Sequence, residues 1–348
     1  MNIKKMVSKE YLKSGLSLNT HVGCPLGCRY CVLTTSIDDF FGKPTPIKNA
    51  RDILNELFRP GSIFINGLTP IYINNRTDPF LPEVIESTYE LLKQCIVNNI
   101  KSPIIVITKL APDASFRAYC EKLNILFFYT YSNLKGIDYN SDDGINIGNV
   151  SKILFNVPYE NRYHYYRPII PGYNDSLLKF EEAIKTVGIY CKATVIGGFR
   201  VNQANSEEFH VSLFDKNHKL LDDSFMTIVY EMVKKYHICI VRHTSCAIAL
   251  HMKKANKLQY FHKEGHCLEE KCINYNVCDK GENFLDQKTV SNIINELTDS
   301  RYIWESNGRI VFQNEVSQEV VAFLKSTLGL SVIASKVILS PSEARITF

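Results

Sequence analysis

Several things are scarce in this chain of 348 residues. No stretch approaches the ~20 consecutive apolar residues of a bilayer-spanning helix, so the sequence offers no membrane span. The N-terminal MNIKKMVSKEYLKSG is basic but lacks the apolar core of a secretion signal, and the expected location is the cytoplasm. Neither charge sign is in large excess. Forty Lys and Arg face 36 Asp and Glu, a net of +4, which permits a nucleic-acid partner without indicating one. Heptads, low-complexity runs and a Walker-type loop are missing, and the spread of Gly and Pro excludes a fibrous chain. What remains is a core-forming composition, 45% hydrophobic and 22% charged, long enough for one large domain and a small appendage.

Cysteine is plentiful. A reducing compartment gives eleven thiols little use as disulfides, so their spacing has to be read for metals or for packing. Cys95, Cys120, Cys191 and Cys239 sit inside apolar or amphipathic segments and read as small buried hydrophobes. Cys24, Cys28 and Cys31 lie close together in Gly23-Cys24-Pro25-Leu26-Gly27-Cys28-Arg29-Tyr30-Cys31, after the strand-like SLNTHV. Gly23, Pro25 and Gly27 allow the sharp bends that wrap three thiolates around one centre. A mononuclear zinc site normally takes four ligands, and no fourth Cys or His follows nearby. A cubane iron–sulfur cluster held by three cysteines keeps one iron open, which points to chemistry rather than scaffolding.

This C-x3-C-x2-C segment, with Tyr30 before the last cysteine, resembles the signature of the radical S-adenosylmethionine enzymes. The resemblance implies a [4Fe-4S] cluster on Cys24, Cys28 and Cys31. It also implies S-adenosylmethionine on the fourth iron, cleaved by one electron to a 5′-deoxyadenosyl radical that takes hydrogen from a substrate. A reductant such as flavodoxin or ferredoxin is implied as well. Asn74-Asn75-Arg76-Thr77-Asp78-Pro79 and R-P-I-I-P-G-Y-N-D (167–175) are similar to segments of the spore photoproduct lyase and DNA repair photolyase-like branch. That similarity tilts the substrate toward nucleic acid, with a modified peptide close behind. The rival of another class is a non-catalytic iron–sulfur or zinc protein that senses redox state or binds nucleic acid.

From about residue 16 to 197 apolar runs alternate with amphipathic ones, which predicts a parallel sheet with crossover helices. Strands are expected at 16–22, within 62–74, and at 103–108, 125–131, 164–170 and 192–197. Helices are expected at 48–58, 82–98, 112–123, 147–156 and 176–187. Six such units match the α/β fold that the resemblance implies, a partial (β/α)6 TIM-type barrel over residues 1–245. A barrel places its site at the C-terminal strand ends. There the candidate cofactor contacts are Asn75, Thr77, Asp78, Lys109, Ser132, Arg167, Gly197 and Gly198. Arg167 and Ser132 suit the carboxylate and ribose, and the glycines permit close backbone approach to the adenine. Asp78 also reads as a cap for the helix that Pro79 begins.

Residues 236–246 read as a last buried strand ending in Cys246. Cys267, Cys272 and Cys278 follow, with gaps of 20, 4 and 5 residues, in a Cys-rich segment at 246–284. Four cysteines this widely spaced suit a second iron–sulfur cluster better than a zinc ribbon, with zinc the lesser alternative and His243 and His266 beside them. The tail, 285–348, predicts a helix at 287–298, a hairpin turning at Asn307-Gly308 and a helix at 316–328. It reads as a winged-helix-like unit or as a lid.

Overall fold

The computed structural model describes residues 9–12, 15–31, 33, 42–59, 62–139, 143–201, 203–210, 223–254, 272–273, 275–279, 286–306, 309–328, 330 and 332–338. Most of the apolar runs become strands of one sheet. Strands β1 (Lys9–Leu12) and β2 (Gly15–Leu18) pair antiparallel at one edge. A separate two-stranded ribbon, β3 (His21–Val22) with β4 (Thr45–Pro46), lies beside the cysteine loop. The main sheet continues from β2 through β5 (Ile71–Ile73), β6 (Ile104–Thr108), β7 (Ile125–Thr130), β8 (Arg162–Ile169), β9 (Ala193–Gly198) and β10 (Ile240–Val241). From β2 onward every neighbour is parallel, so seven parallel strands follow one another in chain order. This is the expected α/β architecture, a partial TIM-type barrel.

Helices α1 (Ala50–Leu57), α2 (Ile85–Val97), α3 (Phe116–Lys122), α4 (Asp143–Asn156), α5 (Leu177–Thr186), α6 (Gln203–Glu208) and α7 (Asp223–Tyr236) alternate with these strands. The starts of α1 and α5 follow the expected chemistry. The side chains of Asn49 and Ser176 accept from the amides of Asp52 and Lys179, meeting donors that the first turn leaves orphaned. Ile53, Leu54, Leu91, Phe116 and Phe180 press one face of the sheet, against Ile71, Ile73, Ile104, Val106 and Phe127. Each such side chain contributes about 1.5–3 kcal/mol by leaving water.

The other face of the sheet is filled from within. The run 236–246 is not a strand to its end, because only Ile240 and Val241 pair. Cys246 instead lies in the first turn of helix α8 (Thr244–Met252). Ala247 and Ile248 of this helix pack on Tyr72, Ile105, Leu126, Phe128, Tyr163, Val195 and Val241, the alternate residues of the strands. Thr244 Oγ1 bonds the Tyr165 hydroxyl at 3.1 Å, whereas His251 Nδ1 bonds that of Tyr163 at 3.0 Å, nearer the start of β8. Helix α8 therefore runs down the concave side, antiparallel to the strands, and plugs the bore.

Beyond it come a short helix, α9 (Tyr275–Asp279), and the tail: α10 (Gln287–Leu297), β11 (Tyr302–Trp304), β12 (Ile310–Ser317), α11 (Gln318–Ser326) and β13 (Val332–Ile338). The helix–strand–strand–helix order matches expectation, with the Asn307-Gly308 turn outside the described residues. Strand β13 is additional, and pairs parallel with β12. Helix α11 packs against β1 and β2. Thr327 reaches Thr69, just ahead of β5 and at the opposite end of the strands from their C-terminal mouth.

Candidate active site

At the mouth, the cysteine loop and the ends of β5 to β9 enclose a cavity of about 410 Å³. Cys24, Cys28 and Cys31 all face it, together with Asn75, Thr77, Asp78, Lys109, Arg167 and Gly198 from the expected set. Tyr30, Thr108, Thr130, Tyr165, Phe199 and Arg200 complete its polar and aromatic wall. Ser132 and Gly197 belong to a different layer. Ser132 is fully buried and donates its hydroxyl to the Arg167 carbonyl at 2.7 Å, so it braces the ends of β7 and β8. Gly197 lies under the Arg167 side chain: a Cβ there would fall 2.7 Å from Cδ and 2.8 Å from Cζ. Its missing side chain makes room for a guanidinium rather than for an adenine ring. Arg167 in turn stands over the Tyr165 ring, with Cζ 5.4 Å from the centroid.

The loop is shaped by its glycines and pinned on both sides. Gly23 and Gly27 take φ of 99° and 64°, the left-handed region where other residues are strained. The Gly23 amide donates to the Arg76 carbonyl at 3.1 Å, and the Arg29 amide to that of Ile137 at 3.2 Å. The Arg29 side chain also pairs with Glu208. The facing loop after β5 hangs from Asn74, which is fully buried and left-handed (φ 49°). Its Oδ1 accepts from the amide and hydroxyl of Thr20, and its Nδ2 donates to Thr88. Asp78 is a bracket rather than an open ligand. It accepts from the Lys109 amide and the Thr108 hydroxyl, each at 2.8 Å, and from the Phe80 amide at 3.0 Å. Burial raises its pKa against the pull of those three donors.

Lys109 is likewise engaged. Its Nζ donates to the Tyr30 hydroxyl at 2.6 Å and to Asp138 at 2.7 Å, and Tyr30 also donates to Asp138 at 2.7 Å. The Cys28 thiol donates to the same carboxylate at 3.6 Å. Burial would lower the Lys109 pKa, but Asp138 and then Cys28 outweigh it and the net shift is upward. Asp138 escaped the sequence reading because a single acid in the loop after β7 carries no spacing signal. In the Pro-Gly-x-Asn-Asp segment, Asn174 is structural. It donates to the carbonyls of Ser132 and Pro168 and accepts from the Ile170 amide, fixing the turn behind Arg167.

Does this wall suit the implied cluster and S-adenosylmethionine? Burial pushes the thiols of Cys24 and Cys28 up to about 12, so without a cation both stay protonated. Against that, the amides of Leu26 and Asp78 point at Cys24 and the amide of Tyr139 at Cys28, donors that favour thiolate. The Thr77 Oγ1 is buried in the wall with no hydrogen-bond partner among the described residues. Burying a hydroxyl in this way costs about 1–3 kcal/mol unless a ligand meets it. Among the described residues, no three His, Cys, Asp or Glu side chains converge on one metal ion. Cys24, Cys28 and Cys31 share the wall of one cavity, and a cluster takes each thiolate on a different iron. The donor set fits.

The second cysteine group does not form as a unit among the described residues, and Cys267 lies outside them. Cys246 packs with the plug against the inner core. Cys272 lies in electrostatic range of Cys239, and the two line a different hollow with His237. The sequence pattern alone reads Cys239 as a packing residue. Cys278 sits half-buried on α9. The expected quartet of Cys246, Cys267, Cys272 and Cys278 gains no support, and Cys246 lies in the first turn of a helix where a strand end was expected.

No family model matches the chain, and no curated protein matches it either. Solved structures similar to it include a spore photoproduct lyase variant, 12% identical over 68% of this chain and 78% of its own, with a TM-score of 0.46. A spore photoproduct lyase complexed with dinucleoside spore photoproduct gives 12%, 68%, 77% and 0.46. A further variant with bound AdoMet and the dinucleoside gives 10%, 68%, 77% and 0.46. No helix among the described residues is long and apolar enough to cross a membrane.

Proposed function

We propose that the protein is a radical S-adenosylmethionine enzyme, with Cys24, Cys28 and Cys31 holding a [4Fe-4S] cluster at the barrel mouth. The observation that carries this reading is the sharing of one cavity by three loop cysteines, a partnerless buried Thr77 hydroxyl and the Arg167 guanidinium. When bound, the cluster and S-adenosylmethionine supply one electron and a sulfonium carbon whose cleavage yields a radical able to take hydrogen from a substrate. The chain's own part is to orient and exclude. Thr77 offers its hydroxyl to the cofactor's ammonium group, and Arg167, seated on Gly197, offers two parallel donors to its carboxylate. Asp78 holds the ends of β5 and β6 at fixed spacing beneath both. Ile107 and Tyr165 line the cavity and pack against the plugged core, so the floor of the site is apolar and aromatic.

The motif resemblance directs the substrate reading toward a nucleic-acid base or nucleoside. Exposed Arg200 gives a cation at the cavity rim suited to a phosphate of such a substrate. The test is anaerobic. Protein reconstituted with iron and sulfide is reduced with dithionite and incubated with S-adenosylmethionine, and the nucleoside products are separated. Release of 5′-deoxyadenosine by the wild type and its loss in Cys28→Ala support the reading; no release from protein with an intact cluster overturns it.

A further inference from the structure

One charged group at the site has no place in the binding roles above. Lys109 and Asp138 form an ion pair with side chains only 10% and 2% exposed, directly under the cysteine loop. An interior pair of this kind is seldom retained for stability, because desolvating both ions cancels most of their attraction. The loop does not need it as a tether either, since the backbone bond from Arg29 to Ile137 already joins the two segments. The pair also has a direction. Asp138 Oδ1 lies 3.6 Å from the Cys28 sulfur, while Lys109 holds the carboxylate from a contact of 2.7 Å and is steadied by Tyr30 at 2.6 Å. Both charges of the pair thus act on one cysteine of the three, with the carboxylate in direct contact with its sulfur.

We propose that Asp138, held by Lys109 and Tyr30, is a positioning group that sets the reduction potential of the cluster through Cys28. The inference rests on the cluster reading of the cysteine loop. Adding an electron makes the cluster more negative, so a carboxylate beside its ligand disfavours reduction and lowers the potential, while an ammonium raises it. Cleaving a sulfonium demands a strongly reducing donor, and a carboxylate facing the sulfur makes the donor stronger. Lys109 and Tyr30 hold that carboxylate in place, and the ammonium charge of Lys109 acts on the potential in the opposite direction. Surroundings and charge are among the levers by which proteins spread cluster potentials.

The test is an EPR-monitored redox titration, without S-adenosylmethionine, on reconstituted wild type and on Asp138→Asn, Lys109→Met and the double variant. Iron content and thermal unfolding are measured on each. The expected result is a midpoint moved up in Asp138→Asn, moved down in Lys109→Met, and returned toward the wild type in the double variant. Tyr30→Phe, which changes no formal charge, moves it least. Should one charge variant fail to assemble a cluster, the other decides by the sign of its shift. Unchanged midpoints, or shifts of the same sign for both charge removals, overturn the inference while leaving the cluster reading intact. Wild-type protein that binds no iron sinks the function proposal itself, an outcome the iron count separates from the first.

Discussion

Gly197 shows how the chemistry of single residues is divided at this site. An alanine methyl would collide with the middle and end of the Arg167 side chain, so Gly197→Ala is expected to swing the guanidinium off Tyr165. Losing one charge-assisted contact is worth about 1.5–3 kcal/mol, so S-adenosylmethionine affinity should fall roughly tenfold or more. Equilibrium dialysis on the reconstituted protein measures this, and wild-type affinity in the variant would show that Arg167 does not hold the cofactor. His164 supports a second prediction. It is fully buried, with Nε2 2.8 Å from the Tyr131 carbonyl and Nδ1 3.2 Å from the Thr194 hydroxyl, and burial lowers its pKa from 6.5 to about 4. The folded chain holds the neutral ring while the unfolded chain takes up the proton first. The stability this confers is complete above pH 6.5 and is lost as pH falls toward 4, on the order of 3 kcal/mol at the limit. Urea midpoints across this window should flatten in His164→Gln; an unchanged pH slope would contradict it. Residues of this kind were only partly legible in sequence. The tight cysteine spacing announced Cys24, Cys28 and Cys31, whereas Asp138 and the bracket role of Asp78 depend on contacts across loops far apart in the chain.

Among the elements, the strands could be read because a doubly covered strand is apolar almost throughout, as Ile125–Thr130 is. The plug α8 could not. Its sequence TSCAIALHM is apolar on most sides, so it shows neither the stripe of a surface helix nor the alternation of a strand. Of the two candidate strands within 62–74, the second forms, as β5 (Ile71–Ile73), and the Leu16 amide donates to the Pro70 carbonyl just ahead of it. The plug gives a direct packing prediction. Ala247 is fully buried between α8 and the strands, so Ala247→Leu overfills the bore and should cost about 1–3 kcal/mol. A clear fall in melting temperature is expected, and wild-type stability would mean that α8 does not fill the barrel in solution.

Taken whole, the molecule is a barrel open at one end to chemistry and closed along its bore by its own chain. The cysteine loop meets the mouth, helix α8 fills the interior, and the tail packs at the β1 and β2 edge. The parallel order of the sheet and the place of the site followed from alternating patterns and the geometry of strand ends. The placement of the later cysteines did not, because Cys246 falls in the first turn of α8 and Cys272 comes near Cys239 through contacts that spacing does not encode. The central claim concerns the mouth: a cluster gripped by three cysteines, with one iron left for S-adenosylmethionine. Mössbauer spectra of protein reconstituted with iron-57 test it most directly. On adding S-adenosylmethionine, the account predicts that about one iron in four changes its signal while the others stay. A spectrum indifferent to S-adenosylmethionine, or zinc in place of iron at Cys24, Cys28 and Cys31, would contradict it.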